Sequence, residues 1–161
     1  MNEIEWIVEM REYPGYFIST KGRIFSEKYN ERLEKKPSDN GKGYLYVCLM
    51  KEGKQYIKKI HRLVGETFLE KVEGKLEIDH INQNKKDNRV ENLRWCNRRE
   101  NLINRGITSL NTSGVKGVRF RKDRNSWVSR FNIEENKTKS KHFKTKEEAI
   151  KWRLEMEKKY Y

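Results

Sequence analysis

The sequence predicts an α+β fold in three parts: a small β-rich N-terminal module, a central strand–strand–helix element, and a three-stranded sheet plus one helix at the C-terminus. Three observations carry that expectation. Short alternating runs broken by Gly, Asn and Ser fill the first sixty residues, one dense polar segment spans residues 76–105, and the last third alternates twice before a well-capped helix. A length of 161 residues suits about one domain or a few small modules and excludes a large multi-site enzyme. With 34% hydrophobic and 38% charged residues and a mean hydropathy of −1.10, any core is thin, and 4 Trp, 8 Tyr and 6 Phe supply the apolar area for compact folding.

Taken in order, strands are expected at residues 6–8, 16–19 and 23–26, followed by a hairpin of 44–50 with 55–58 that turns at Glu52-Gly53. In HRLVGETFL, residues 61–69, Leu63, Val64, Thr67 and Phe68 recur at helical spacing, so a helix follows. A short strand at 76–78 ends in Asp79 and His80, and a polar loop at 82–89 leads to a second strand at 93–96. Asn97 and Glu100 then form a capping box that opens a short helix with Asn101 on its first turns. GITSLNTSG, residues 106–114, reads as a linker. Beyond it, 115–120 and 127–133 alternate and a third strand ends near His142-Phe143. The capping box Thr145–Glu148 starts a helix with Ala149, Trp152, Arg153, Met156 and Tyr160 on one face. The expected division is 1–58, 59–105, the linker 106–114, and 115–161.

Charge narrows the partners. Thirty-seven Lys+Arg against 24 Asp+Glu give +13 and a sequence pI near 9.7, which fits a polyanion-binding protein, nucleic acid first. The excess is +3 in residues 1–60, −2 in 61–80, +4 in 81–105 and +8 in 106–161, so it gathers toward the C-terminus. No run approaches a membrane span, the acidic start lacks a signal-peptide pattern, and no basic block adjoins an amphipathic stripe. The expectation is a cytoplasmic protein with no membrane partner. Cys48 and Cys96 stand far apart with no Cys-x-x-Cys spacing, giving neither a disulfide framework nor a zinc site.

Residues 76–105 hold the densest set of ligand-type side chains, and the strand–strand–helix element is expected to bring Asp79, His80 and Asn101 toward one point. That trio suits phosphodiester hydrolysis, which needs a base for water and a hard cation to offset charge on the phosphorane and the leaving 3′ oxygen. Asp79 and Asn101 offer the oxygens that Mg²⁺, or another divalent cation such as Mn²⁺, prefers. His80, with an ordinary pKa of ~6.5, can accept the water's proton, and Asn92 can hold either the imidazole or the loop in register. Asn82, Asn84, Asp87 and Asn88 read mostly as turn formers, His61 as a packed residue, His142 as a surface or phosphate contact, and Trp95 and Trp127 as core.

The run Asp79-His80-Ile81-Asn82, Asp87-Asn88-Arg89, Asn92-Leu93-Arg94-Trp95 and Glu100-Asn101 resembles the HNH motif of phage-type homing endonucleases, with a ββα-metal active site. The family places an Asn twelve residues after the first His, as Asn92 follows His80, and its final His is commonly Asn in this branch, as at Asn101. Ile60-His61-Arg62-Leu63-Val64 resembles the helix that leads into such segments. Residues Trp6, Tyr13, Gly15-Tyr16, Ile18-Ser19, Gly22-Arg23-Ile24 and Ser26 resemble the small module that often precedes them. Ser113 to Phe120, with Trp127, Phe143 and Glu147-Glu148-Ala149, resembles an Apetala-two/ethylene-response-factor DNA-binding domain. The resemblance implies a site-specific, metal-dependent endonuclease acting on double-stranded DNA as monomer or homodimer, without a structural zinc. The alternative is a non-catalytic DNA-binding regulator that keeps a degenerate nuclease fold.

Strand parity sorts the basic module. Trp127, Ser129, Phe131 and Ile133 share one face, leaving Val128, Arg130 and Asn132 on the other. Val118 and Phe120 are expected on opposite faces, with Arg119 and Arg121 together. If the helix covers the Trp127 face, Arg119, Arg121 and Arg130 can fork onto guanine edges or phosphates and Asn132 suits adenine. The resemblance places Lys116, Arg119, Arg121 and Asn132 at DNA-facing positions, while Arg130 replaces an acidic residue usual in the plant domains.

Overall fold

The computed structural model describes residues 4–28, 31–107, 110–134 and 137–160. Two compact units divide the chain, Met1–Arg105 and Gly106–Tyr161. In the first, β1 (Ile7–Glu9), β2 (Tyr16–Ser19), β3 (Ile24–Lys28) and β4 (Glu31–Glu34) make an antiparallel sheet in chain order. A second antiparallel sheet joins β5 (Ser38–Asp39), β6 (Leu45–Lys51) and β7 (Lys54–Lys59), and α1 (Ile60–Phe68) follows without a break. The β6–β7 hairpin turns at Glu52 (φ 51°) and Gly53 (φ 72°), the two left-handed positions that a tight two-residue hairpin turn requires. β8 (Glu77–His80) pairs antiparallel with β9 (Leu93–Cys96), and α2 (Arg98–Asn104) closes the unit.

One apolar cluster joins β2, β3, β6, α1, β8 and β9. Met10 and Tyr13 come from the β1–β2 connection, Ile18 and Ile24 from β2 and β3, Val47 and Leu49 from β6, Ile60, Leu63 and Val64 from α1, and Ile78 and Leu93 from the β8–β9 pair. Residues 1–58 and 59–105 therefore contribute to a single core. Gly65 lets α1 lie directly on β8: a side-chain carbon there would collide with the Ile78 methyl.

Two strands escape the sequence pattern. β4 is exposed along its whole length and β5 is two exposed residues, so neither carries an apolar alternation, and both form only through pairing with β3 and β6. The strand expected at 76–78 instead runs from Glu77 to His80, because Leu76 is left in solvent at 80% exposure and the backbone pairing continues to His80↔Leu93.

In the second unit, β10 (Val118–Arg121), β11 (Ser126–Glu134) and β12 (Lys137–Phe143) form an antiparallel sheet under α3 (Lys146–Tyr160). The reciprocal bonds of the Thr145–Glu148 capping box open that helix as expected. Val118, Phe131 and Ile133 of the sheet and Ala149 of α3 are buried, Tyr160 meets Phe131 at 5.8 Å and Trp152 meets Phe143 at 6.1 Å between ring centres. β10 starts at Val118 rather than at 115, because buried Ser113 donates to the Val118 carbonyl at 2.8 Å and ties residues 111–115 into a turn. Val118 and Phe120 lie on one face, not on opposite faces as expected, since residues two apart in a strand point the same way; their partners are Ser129 and Trp127.

Candidate active site

β8 sets the geometry. Its alternation sends Ile78 and His80 inward, both buried, and leaves Glu77 and Asp79 half-buried on the opposite face. His80 is 4% exposed, and its Nε2 lies 3.1 Å from the Asn88 amide oxygen. That contact makes Nε2 the protonated nitrogen of a neutral ring and leaves Nδ1 as the acceptor. Burial holds the His80 pKa below its ordinary value, against the opposing pull of the Asn88 bond and the Asp79 charge. His61 lies behind it, 4.9 Å between ring centres, and burial, with His80 and Lys59 nearby, drives its pKa down to about 3. Both rings are neutral near pH 7.

The polar loop between the strands is built from Asx turns, as the sequence suggests for most of it. Asn82 accepts from the Asn84 amide at 2.9 Å and Asn84 from the Lys86 amide at 3.1 Å. Asp87 is held down to about 2 chiefly by its bonds with Arg89. Asn88 is the exception, because its amide carries the imidazole. Asn92 holds the loop: its oxygen accepts from the Asn82 amide at 3.0 Å and its nitrogen donates to the Asp87 carbonyl at 2.8 Å. The first sheet buttresses this loop. The Val90 amide donates to the Thr20 carbonyl at 2.8 Å, and Gly22 (φ +77°) presses so closely on Asn88 that a side-chain carbon there would stand 2.8 Å from the Asn88 Cβ.

On the outer face of β8, α2 presents two amides one turn apart. Asn97 and Glu100 form the expected capping box and fix the start of α2. Asn101 donates to the Glu77 carboxylate, and Asn104 donates at 2.7 Å to both Asp79 Oδ2 and the His80 carbonyl. Arg94, opposite Asp79 in the β8–β9 register, pairs with the same Oδ2 at 3.3 Å. Asp79 and Asn101 thus face the same strand–helix seam without bonding each other, and His80 joins them through the backbone of β8. Among the described residues, Asp79 Oδ1 and Asn101 Oδ1 accept no hydrogen bond. A carboxylate and an amide oxygen on one seam form the hard-oxygen donor set that Mg²⁺ takes, so the residues fit such an ion. Among the described residues no cluster of three or more His, Cys, Asp or Glu side chains could hold a metal by themselves.

Residues 58–103 match the family model described as HNH endonuclease. The chain belongs to the HNH endonuclease family. It is 36% identical over 120 residues to the DNA endonuclease I-HmuI of Bacillus phage SP01, covering 71% of this chain and 66% of that protein. It is 31% identical over 105 residues to the H-N-H endonuclease F-TflII of Escherichia phage T5, covering 64% and 53%. An uncharacterised HNH endonuclease of Acanthamoeba polyphaga mimivirus is 32% identical over 121 residues, 75% of this chain and 36% of that one. The chain therefore spans between about a third and two thirds of these curated relatives. A solved structure described as DNA binding and cleavage by the HNH homing endonuclease I-HmuI superposes with a TM-score of 0.55 at 27% identity, over 91% of this chain and 82% of that one.

Within the HNH segment, sequence reasoning missed Asn88 as the partner of His80, and missed Glu77 and Asn104. The last two were within reach of simple periodicity: Glu77 precedes Asp79 by two in a strand and Asn104 follows Asn101 by three in a helix. In the second unit, Arg119, Arg121, Arg130 and Asn132 lie on the sheet face away from α3. Arg121 is paired with Asp123 at 2.9 Å, Asn132 accepts from the Thr138 hydroxyl at 2.8 Å, and Lys116 is half-buried in the turn before β10.

Proposed function

We propose that the protein is a site-specific, metal-dependent DNA endonuclease in which the HNH segment cuts and the second unit grips duplex DNA. The observation that carries this reading is the neutral His80 imidazole, fixed in one tautomer by Asn88, on the same strand as an Asp79 oxygen that accepts no hydrogen bond among the described residues. His80 Nδ1 takes the proton from the attacking water. Asn88 fixes the ring plane, and Asn92 keeps the loop that carries Asn88 closed. Asp79 and Asn101 would hold the divalent cation, with Arg94 and Asn104 orienting the carboxylate from its other oxygen. When bound, the cation offsets charge on the phosphorane and on the leaving 3′ oxygen.

The sheet face opposite α3 supplies Arg119, Arg121, Arg130 and Asn132 for groove or phosphate contacts, with Lys116 in the turn before β10, and the +8 excess of residues 106–161 favours duplex DNA. The named function of the I-HmuI relative supports the same reading. A non-catalytic regulator is not favoured, because base, orienting amide and metal-type oxygens are all present. One site per chain permits nicking by a monomer or double-strand cutting by a homodimer, in the cytoplasm of a bacterial or phage-infected cell.

The test is cleavage of supercoiled plasmid carrying candidate target sites, with Mg²⁺, with Mn²⁺, and with a chelator. Nicked or linear product that requires metal is the expected result. Tight, sequence-selective binding with no cleavage under any metal would establish the regulator instead.

A further inference from the structure

A cluster beside the base is left unexplained by the hydrolytic machinery. Tyr44, just before β6, stands 5.1 Å from the His61 ring and 6.1 Å from the His80 ring. Two ammonium groups gather on Tyr44: Lys59 Nζ at 5.0 Å and Lys85 Nζ at 4.6 Å from the ring centre. These lysines come from different elements, the last residue of β7 and the β8–β9 loop, so the tertiary fold has converged them. Lys85 also donates to the Lys42 carbonyl at 3.3 Å, which fixes its side chain toward this ring. Among the described residues neither lysine makes an ion pair, although most other charged groups around the site do: Arg94 with Asp79, Arg98 with Glu77, Lys86 with Asp39 and Arg89 with Asp87. Two like charges held near one ring repel each other. A tyrosine face offsets only part of that repulsion at an exposed site.

We propose that Lys59 and Lys85, seated on Tyr44, form a clamp for the DNA backbone phosphates that flank the scissile one. The reading rests on the endonuclease function above and deepens it by naming how the strand is held beside His80. Phosphates recur every ~3.4 Å of helix axis along one strand. Tyr44, which carries both cations, lies 6.1 Å from the His80 ring, within about two such repeats, so a strand whose scissile phosphate sits at His80 and the Asp79–Asn101 seam carries its neighbouring phosphates past this ring. His61 is the spacer, with its ring touching both Tyr44 and His80 and setting the distance between clamp and base. An anionic strand also removes the mutual repulsion of the two ammonium groups, so the clamp and its ligand stabilise each other.

Two measurements on the full chain test this. In the first, binding to a duplex oligonucleotide of arbitrary sequence is followed across a salt series, without metal, for the wild type, Lys59→Gln, Lys85→Gln, the double Gln variant and the Lys59→Arg, Lys85→Arg pair. Each Gln substitution should flatten the slope of log K against log salt by about 0.9, the double variant by about 2, and the Arg pair by nothing. In the second, single-turnover cleavage of a plasmid that the wild type cuts is measured at saturating protein. The double Gln variant should be slowed at least tenfold, because a strand held only by the second unit no longer registers on His80. An unchanged salt slope overturns the clamp. A flattened slope with an unchanged saturating rate also overturns it, since the lysines would then sit on phosphates remote from the cut. Failure of the wild type to cut any plasmid defeats the endonuclease reading and is told apart by the first measurement, which needs no cleavage.

Discussion

The β8–β9–α2 and β10–β12–α3 elements use the same parts for opposite ends. Each is an antiparallel strand set followed by a helix with a capping box, Asn97–Glu100 in one and Thr145–Glu148 in the other. α3 buries Ala149 and Arg153 and lays Trp152 and Tyr160 on the sheet aromatics, so packing holds it. α2 buries no residue and meets β8 through the amides of Asn101 and Asn104 against two carboxylates. A helix glued by apolar area cannot also offer ligands from that face. A helix held by its cap and by hydrogen bonds can, and its cost is low intrinsic stability. The polar seam of α2 thus suits the proposed site, and the packed face of α3 suits the proposed platform.

The sharpest test of that contrast removes one group from each side. His80→Ala should lower turnover by ~10²–10⁴, the usual loss of a general base, while leaving duplex affinity and the unfolding midpoint close to wild type. Full cleavage by the purified variant would remove His80 from the chemistry. On the platform side, Phe131→Ala should cost ~3–5 kcal/mol, read by denaturant unfolding of the second unit, because the ring is fully buried between Arg153 and Tyr160. The first unit's transition should not move.

Acid separates the two units as well. His61 is held at about 3 in the folded state against ~6.5 unfolded, so below pH 6.5 the unfolded chain binds a proton that the folded chain refuses. Its contribution to stability is complete above pH 6.5 and is lost as the pH falls toward 3, by up to ~1.4 kcal/mol per unit. His61→Gln should flatten that dependence in the first unit, and an unaltered pH profile would count against the buried neutral ring. The smallest expected effect is on the caps. Asn97→Ala and Thr145→Ala should each cost about 1 kcal/mol of helix stability. Only Asn97→Ala should raise the metal concentration needed for cleavage, because only α2 carries a proposed ligand, Asn101. Equal effects on metal response would erase the distinction between the two helices.

Much of this was legible beforehand for identifiable reasons. Both capping boxes, the Glu52-Gly53 hairpin and α1 follow from local rules, in which a hydroxyl, an amide or a positive φ satisfies its own neighbourhood. Asp79, His80, Asn92 and Asn101 stand out because ligand-type side chains crowd one short segment. β4 and β5 were invisible because an exposed edge strand has no apolar period to read. Asn88 was misjudged for a related reason. An Asn in a polar loop looks like a turn former unless one knows what it faces.

By itself, the sequence determined the kind of chemistry available, the order of the elements and the excess of positive charge toward the C-terminus, since these depend on residue identity and near-neighbour spacing. Only the tertiary structure decided which amide serves which charge. Packing Gly22 against Asn88 aims that amide at His80, and α2 lying along β8 pairs Asn101 with Glu77 and Asn104 with Asp79. Convergence of Lys59 and Lys85 on Tyr44 likewise needs β7 and the β8–β9 loop to meet. Such contacts join residues far apart in the chain, Gly22 and Asn88 by 66 positions. At that separation no local periodicity constrains the partners, and only the shared core around Ile18, Val64, Ile78 and Leu93 brings them within reach.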